Sequence, residues 1–347
     1  MNFQQLRYVR EAVRNNLNLT VAARILNTSQ SGVSKQIREL EIELGVEIFV
    51  RKGKRLTGLT RAGDGVVGQI DRVLLEAENL KRFSSQFSGE ETGRLVIAAT
   101  HNQARYALPD IISRFAAEFP AVQLELHQST PAQAARSVLG GEADIAIATE
   151  ALDQVAGLVA FPCFSWRHVV VAPRGHALAK ISEPTLEDVA AWPLITYSPE
   201  FSGRAQIDAA FRDADLTPDI RLAAMDADVI KDYVRRNLGV GVLSEMAMSR
   251  AADDDLVELP STRSLFPPSA TKIAFLRGAL LHAYGYRLIE LFAPWLDPAR
   301  LREAGLARIS VRGPAARPPA ASIPSFSEFL ARQESAGKSG RKLAAGG

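Results

Sequence analysis

Apolar positions recur along this chain with two different periods, and the change of period divides it. Phe3, Leu6, Val9, Ala12 and Val13 follow helical spacing. "LTVAARIL" (19–26) predicts a second short helix with Ala22, Ala23 and Leu26 facing inward. "NTS" (27–29) reads as a turn, with Ser29 placed to cap a third helix. In that helix Val33, Ile37, Leu40 and Leu44 form the expected buried stripe and Gly45 the stop. "EIFVRKGKRLTGLT" (47–60) alternates briefly and turns at a basic, Gly-centred tip, the pattern of a small hairpin or wing. Residues 61–88 predict a long helix. There Val66, Ile70, Val73, Ala77, Leu80 and Phe87 keep a 3.5-residue repeat with Ser84 at the skipped tooth, the seam of a paired coiled coil. A helix packed on its own domain is the alternative, and its stripe is usually wider.

From residue 93 the texture becomes alternating strands and helices. Strands are expected at 94–100, 122–128, 143–149, 168–173, 193–197, 220–225, 239–245 and 271–277, with helices between them, around 105–118 and 131–140 among others, and a final one at 279–295. Such alternation predicts mostly parallel sheets covered by helices. A change of neighbourhood near residue 163 divides the body (91–302) into two α/β lobes around a cleft. Lobe I takes about 91–162 and 271–302, and lobe II about 163–270. The expected domains are therefore a wing-bearing head (1–60), a linker helix (61–90), the body, and a Pro-, Ala-, Gly- and Ser-rich basic tail (303–347) expected to be disordered. Added DNA affinity is the functional alternative for that tail, a solvated tail the plain one.

Composition narrows the classes. The chain of 347 residues is 47% hydrophobic and 23% charged, as in ordinary globular proteins with sizeable cores. Its one cysteine, Cys163, excludes an internal disulfide and any multi-cysteine metal site. The start lacks the apolar core of a secretory signal and no run reaches a membrane span, so the expected compartment is the cytoplasm and no membrane partner is expected. The net charge of +2 hides an asymmetry. Residues 1–60 and 305–347 each carry +5, which leaves 61–304 at −8. A basic head on an acidic body suggests that the head meets a polyanion.

Two short helices joined by a tight turn, the second opening "SQSGVSKQ", make a helix-turn-helix whose second helix offers its polar start to a major groove. The Gln30 amide suits adenine, Ser29, Ser31 and Ser34 are short polar groups near the start, and Lys35 and Arg38 reach guanine or phosphate. Arg51, Lys52 and Lys54 on the wing are placed for the backbone or minor groove. "LTVAARILNTSQSGVSKQIRELEIELGVEIFVRKGKRLTGLTRAG" resembles the winged helix-turn-helix of LysR-type transcriptional regulators. The matches include Ala22, Ala23, Ser29, Gln30, Ser34, Glu41, Gly45, Arg51 and Gly63. Ser31 departs from the family, which commonly has proline there. The resemblance implies a linker helix for dimerisation, a periplasmic-binding-protein-like two-lobed effector body, a homotetramer built as a dimer of dimers, promoter DNA as partner and RNA polymerase as a further one.

In the body, "ATHNQARYALP" (99–109) carries a strand into a helix, so Thr100, Asn102 and Gln103 stand where free N–H groups would hold an anion. Capping the helix is the structural alternative. "ATE" (148–150) and "FSGR" (201–204) are further loops for the same cleft. "THNQARYALP", "ADIAIATEAL", "PCFSW", "ITYSPEFSGR" and "DADVIKDYVRRNLGVGV" resemble the CysB branch of the family, regulators of sulfur assimilation and cysteine biosynthesis. That resemblance implies an acetylserine, sulfate or related anion as effector, held by Thr100, Asn102, Gln103, Thr149 and Ser202 with Trp166 as one wall, and no cofactor or metal. The branch usually has threonine at the positions of Asn102 and Ser202.

Three alternatives compete. A regulator of another pathway would bind a different small anion. An enzyme with an accessory DNA domain would need a catalytic constellation, but the five histidines are scattered, no phosphate loop or nucleophile elbow is present, Cys163 reads as structural, and Asp226 and Asp228 suit a helix start. A sequence-blind architectural protein leaves the acidic body without a purpose.

Overall fold

The structure, a computed structural model, describes residues 1–53, 55–85, 92–201, 203–249, 252–306 and 323–344. Residues 1–89 and 90–347 form two compact units.

The first unit contains α1 (Phe3–Arg14), α2 (Leu19–Ile25), α3 (Gln30–Leu44), the hairpin β1 (Phe49–Lys52) and β2 (Arg55–Leu59), and α4 (Arg61–Ser85). Side chains fix the helix starts. Asn2 and Gln5 form a capping box, Asn18 accepts from the N–H groups of Thr20 and Val21, and Ser29 accepts from that of Gly32. Leu6, Val9, Ala12, Val33, Ile37 and Leu40 meet Ile48, Phe49 and Leu56 in one core. Leu44 departs from the expected stripe and is 39% exposed, whereas Glu41 turns inward. Gly63 lies against the wing so closely that a Cβ there would sit 1.9 Å from the Ile48 carbonyl oxygen. The predicted seam of α4 divides. Val66 and Ile70 join the head's own core with Leu74, whereas Val73 and Leu80 face outward, 44% and 70% exposed. Phe87 lies outside the described residues.

The second unit holds two five-stranded sheets. Lobe I is built on β3 (Gly93–Ala99), β4 (Val122–Gln128), β5 (Ile145–Ala148), β6 (Leu158–Trp166) and β12 (Ser269–Leu276), in the order β4-β3-β5-β12-β6. Its helices are α5 (Pro109–Glu118), α6 (Pro131–Leu139), α10 (Ala283–Phe292) and α11 (Pro298–Leu306). Lobe II is built on β7 (His168–Pro173), β8 (Leu194–Tyr197), β9 (Ile220–Ala224), β10 (Val240–Ser244) and β11 (Leu256–Glu258), in the order β11-β7-β10-β8-β9. Its helices are α7 (Leu186–Ala190), α8 (Arg204–Asp213) and α9 (Ala227–Arg235).

The sheets are mixed rather than mostly parallel. β3 runs parallel to β4 and β5, and β8 parallel to β9 and β10, but β12 and β7 run antiparallel to both their neighbours. The difference comes from the direction of β7 and β12, which alternation alone does not fix. The sequence also did not predict β6, because "LVAFPCFSW" does not alternate and contains Pro162. β6 pairs with β12 from Leu158↔Leu276 to Trp166↔Ser269, so Cys163, Phe164 and Trp166 belong to the lobe I sheet and core, not to lobe II. The chain crosses between lobes after Trp166 and before Ser269.

The expected disordered tail is also corrected. α11 runs past residue 303, and α12 (Phe326–Ala344) docks on lobe I. Ser325 and Glu328 cap α12 reciprocally. Phe326 and Phe329 enter the lobe I core, and Gln333 donates to the carbonyls of Leu291 and Phe292. Just ahead of the helix, the Ser165 N–H donates to the Pro324 carbonyl at 2.8 Å, which covers the free edge of β6.

Candidate functional site

The head presents the start of α3. Gln30, Ser31, Lys35 and Arg38 are exposed and Ser34 half-buried, so five of the predicted readers share one accessible face. Ser29 is exposed too, but its hydroxyl is engaged as the helix cap at 3.1 Å from the Gly32 nitrogen. A groove of about 690 Å³ joins Gln30 to Asn15, Asn18 and Thr20 on one side and to Lys52 and Arg55 of the wing on the other. Arg51 corrects the sequence reading. Its guanidinium turns inward and donates to Glu41 Oε2 at 2.9 Å, while Glu41 Oε1 accepts from the N–H groups of Ile48 and Phe49. This pair ties α3 to the wing and takes Arg51 away from the reading surface. Lys54 lies outside the described residues.

In lobe I, three neighbouring parallel strands end in hydroxyl residues. Ser129, Thr100 and Thr149 directly follow β4, β3 and β5. β12 pairs Lys272 with Ala148, which brings Thr271 alongside Thr149. The chain leaves β3 toward β4 and returns to β5 on the other side, so Thr100 and Thr149 stand where the strand order reverses, the usual ligand position of an open α/β sheet. After Thr100 the chain coils through a π-helical turn (Gln103–Ala107). Asn102 and Gln103 do not cap it. Gln103 Nε2 donates to Thr271 Oγ1 at 2.8 Å, and Asn102 Nδ2 lies 3.2 Å from Tyr197 Oη of lobe II. Thr100, Asn102, Gln103, Thr149 and Trp166 are all at most 2% exposed. Yet Asn102 Oδ1, Gln103 Oε1, Ser129 Oγ and Trp166 Nε1 have no partner, and buried polar atoms are normally satisfied. The hydroxyls that the two amides meet can equally donate, so with each amide turned about its last torsion Asn102 and Gln103 offer N–H groups there beside Ser129 Oγ and Trp166 Nε1, and a ligand that accepts hydrogen bonds would satisfy them.

Lobe II repeats the arrangement. Its order reverses between β8 and β10, which end in Tyr197 and Ser244, and the Ser244 N–H donates to Tyr197 Oη at 3.0 Å. Burial pushes the Tyr197 phenol up to about 12, so it stays protonated at neutral pH. Further contacts cross the cleft: the Tyr106 hydroxyl donates to Asp228 Oδ1 at 3.0 Å, and Arg105 lies 3.5 Å from the same carboxylate. Asp226, by contrast, does cap α9, at 2.9 Å from the Val229 nitrogen. Trp166 meets His168 edge-on. Gly203, in a left-handed conformation at φ 74°, lies so close to that His168 ring that a Cβ would stand 2.8 Å from it, so Gly203 borders the same place. Ser202 itself lies outside the described residues.

Comparison with known proteins agrees with this division. Residues 3–64 match the pattern described as "Bacterial regulatory helix-turn-helix protein, lysR family", and residues 88–297 match "LysR substrate binding domain". The chain belongs to the LysR family. It is 54% identical over 311 residues to the HTH-type transcriptional regulator SsuR of Burkholderia cenocepacia, covering 90% of this chain and 100% of that one. It is 47% identical over 304 residues to CysB of the same organism (88% and 97%) and 48% identical over 291 residues to the Escherichia coli regulator cbl (84% and 92%). The crystal structure of the cofactor-binding domain of the Cbl transcriptional regulator superposes with a TM-score of 0.60 at 42% identity, covering 63% of this chain and 96% of that one. A full-length OxyR variant from Pseudomonas aeruginosa shares the fold, with a TM-score of 0.63 at 22% identity over 90% and 99%.

This LysR regulator therefore sits in the CysB-like branch, among transcriptional regulators rather than enzymes, in a family that binds promoter DNA and small-molecule effectors. Several of its cleft residues had no signal in the sequence. Ser129 is one hydroxyl among many, and Tyr197 and Thr271 read as ordinary strand residues until the lobes are brought together. Cys163 is fully buried, and burial pushes its thiol far above the ordinary range. Iodoacetamide should leave Cys163 unlabelled in the native chain and label it fully in denaturant; rapid native labelling would contradict this inert, structural role. No described helix is long and apolar enough to cross a membrane, and no described cluster of side chains could hold a metal ion.

Proposed function

We propose that this LysR regulator controls sulfur-assimilation or cysteine-biosynthesis genes and responds to a small anion, an acetylserine or a sulfur oxyanion, bound between its lobes. The supporting observation is the set of buried, unpartnered polar atoms at the strand ends, around Thr100, Asn102, Gln103, Thr149 and Trp166. The named relatives support the choice of pathway. Ser202 is assigned to the same site through its motif. The effector acts by favouring one arrangement of the lobes, which requires different affinities for two arrangements. Gel shifts on a sulfur-gene promoter with and without O-acetylserine, N-acetylserine, sulfate or thiosulfate test this; a response to none of them removes the effector assignment.

On the DNA side, Gln30, Ser31 and Ser34 read bases, while Lys35, Arg38, Lys52 and Lys54 contribute base or backbone contacts. The exposed Val73 and Leu80 on α4 support pairing of two chains, and a dimer of dimers is the proposed assembly, acting with RNA polymerase at the promoter in the cytoplasm. Changing Lys35 and Arg38 to alanine together should weaken operator binding at least tenfold. Where each contacts a phosphate, the slope of log affinity against log salt should fall by about 0.9 per residue. Unchanged affinity at matched salt would rule out this reading face.

A further inference from the structure

The buried contact between Asn102 and Tyr197 has a hydrogen-bond deficit. With Asn102 Nδ2 directed at Tyr197 Oη (3.2 Å), that oxygen receives two N–H groups, the other from Ser244 at 3.0 Å. The phenol is fully buried and protonated, yet its own hydrogen then has no acceptor, and Asn102 Oδ1 has no partner either. Two unmet groups on one hydrogen bond is a poor arrangement in an interior. Turning the amide over about its last torsion keeps its volume and resolves both. Tyr197 O–H then donates to Asn102 Oδ1, and the two Nδ2 hydrogens are released toward the cleft.

We infer that Tyr197 is a positioning residue for the effector: anchored by the Ser244 N–H, it donates to Asn102 Oδ1 across the lobes and thereby holds the Asn102 amide with its N–H groups facing the ligand. This rests on reading the cleft as an anion site, and it adds a cause for the sign of the ligand. A tyrosine hydroxyl already accepting one N–H is best completed as a donor, so the amide it holds shows donors, not its oxygen, to whatever enters. The same bond spans the two lobes, so the group that orients the ligand contact also holds the lobes together around it.

The test is calorimetric titration of the full-length chain with sulfate, thiosulfate and N-acetylserine. Tyr197→Phe keeps the ring in the lobe II core and removes only the hydroxyl. It should weaken the bound anion about tenfold or more in the wild-type background and have no further effect in an Asn102→Ala background. Equal losses in both backgrounds would mean a general packing effect and overturn the proposal. Should Tyr197→Phe fold poorly by its thermal transition, Asn102→Asp decides instead. Its carboxylate still accepts from Tyr197 but has no N–H to offer, so it should bind none of the three anions, and retained binding overturns the proposal. If the wild-type chain itself binds none of them, the anion reading falls and this assignment with it; if it binds and no coupling appears, only the assignment falls.

Discussion

Replacing Phe329 with alanine should lower the stability of the effector body by about 3–5 kcal/mol, the usual cost of emptying a buried aromatic site. Phe329 is fully buried, with its ring 4.3 Å from that of Phe164, 5.5 Å from Phe292, and edge-on to Trp295. Phe164 precedes by two residues Trp166, which belongs to the proposed effector site, so the loss should weaken anion binding as well as the fold. The measurement is direct, because Trp166, Trp192 and Trp295 are the chain's three tryptophans and all lie in this unit. Urea unfolding followed by tryptophan fluorescence therefore reports on it alone. A change below about 1 kcal/mol would show that α12 rests on lobe I without supporting it.

The second large effect lies in the head. Glu41→Ala should destabilise it by about 3–5 kcal/mol, because removing one member of a buried pair abandons the other. The carboxylate, carried by α3, accepts from three groups: two backbone N–H donors at the start of the wing and the Arg51 guanidinium. Glu41→Gln keeps an acceptor for the backbone donors and should cost less, about 1–2 kcal/mol. Operator binding should be lost in the alanine variant while the tryptophan-monitored transition of the effector body stays in place. An alanine head as stable as wild type, measured by circular dichroism, would mean that wing and reading helix do not depend on this pair.

How far the sequence spoke for itself depended on the range of the interaction that fixed each element. Ser29 as a cap, Gly45 as a stop and the core stripe through Val33, Ile37 and Leu40 are decided within one or two helical turns, and all three appear in the structure. The parallel strands preceding Thr100 and Thr149 were equally plain, since Val, Ile and Ala runs between helices admit little else. β6 was hidden because its partner β12 lies over a hundred residues away and Pro162 interrupts the pattern. α12 was hidden by composition: the flanking Pro, Ala and Gly outweighed a legible local signal, the Ser325 to Glu328 capping box followed by Phe329. Arg51 shows a different limit. A basic residue next to a glycine turn looks solvent-facing until the carboxylate that claims it, ten positions earlier, is brought across by the fold.

The row of strand ends carries a thermodynamic consequence. Serine, threonine, asparagine, glutamine and the indole of Trp166 hold no counter-ions, so a guest captured there displaces none. The head, grasping a polyanion with lysine and arginine, must release them. Rising ionic strength should thus loosen the grip on the chromosome while leaving small-molecule capture nearly level. Titrations at about 50 and about 300 mM salt would separate the two halves of the molecule without altering a residue.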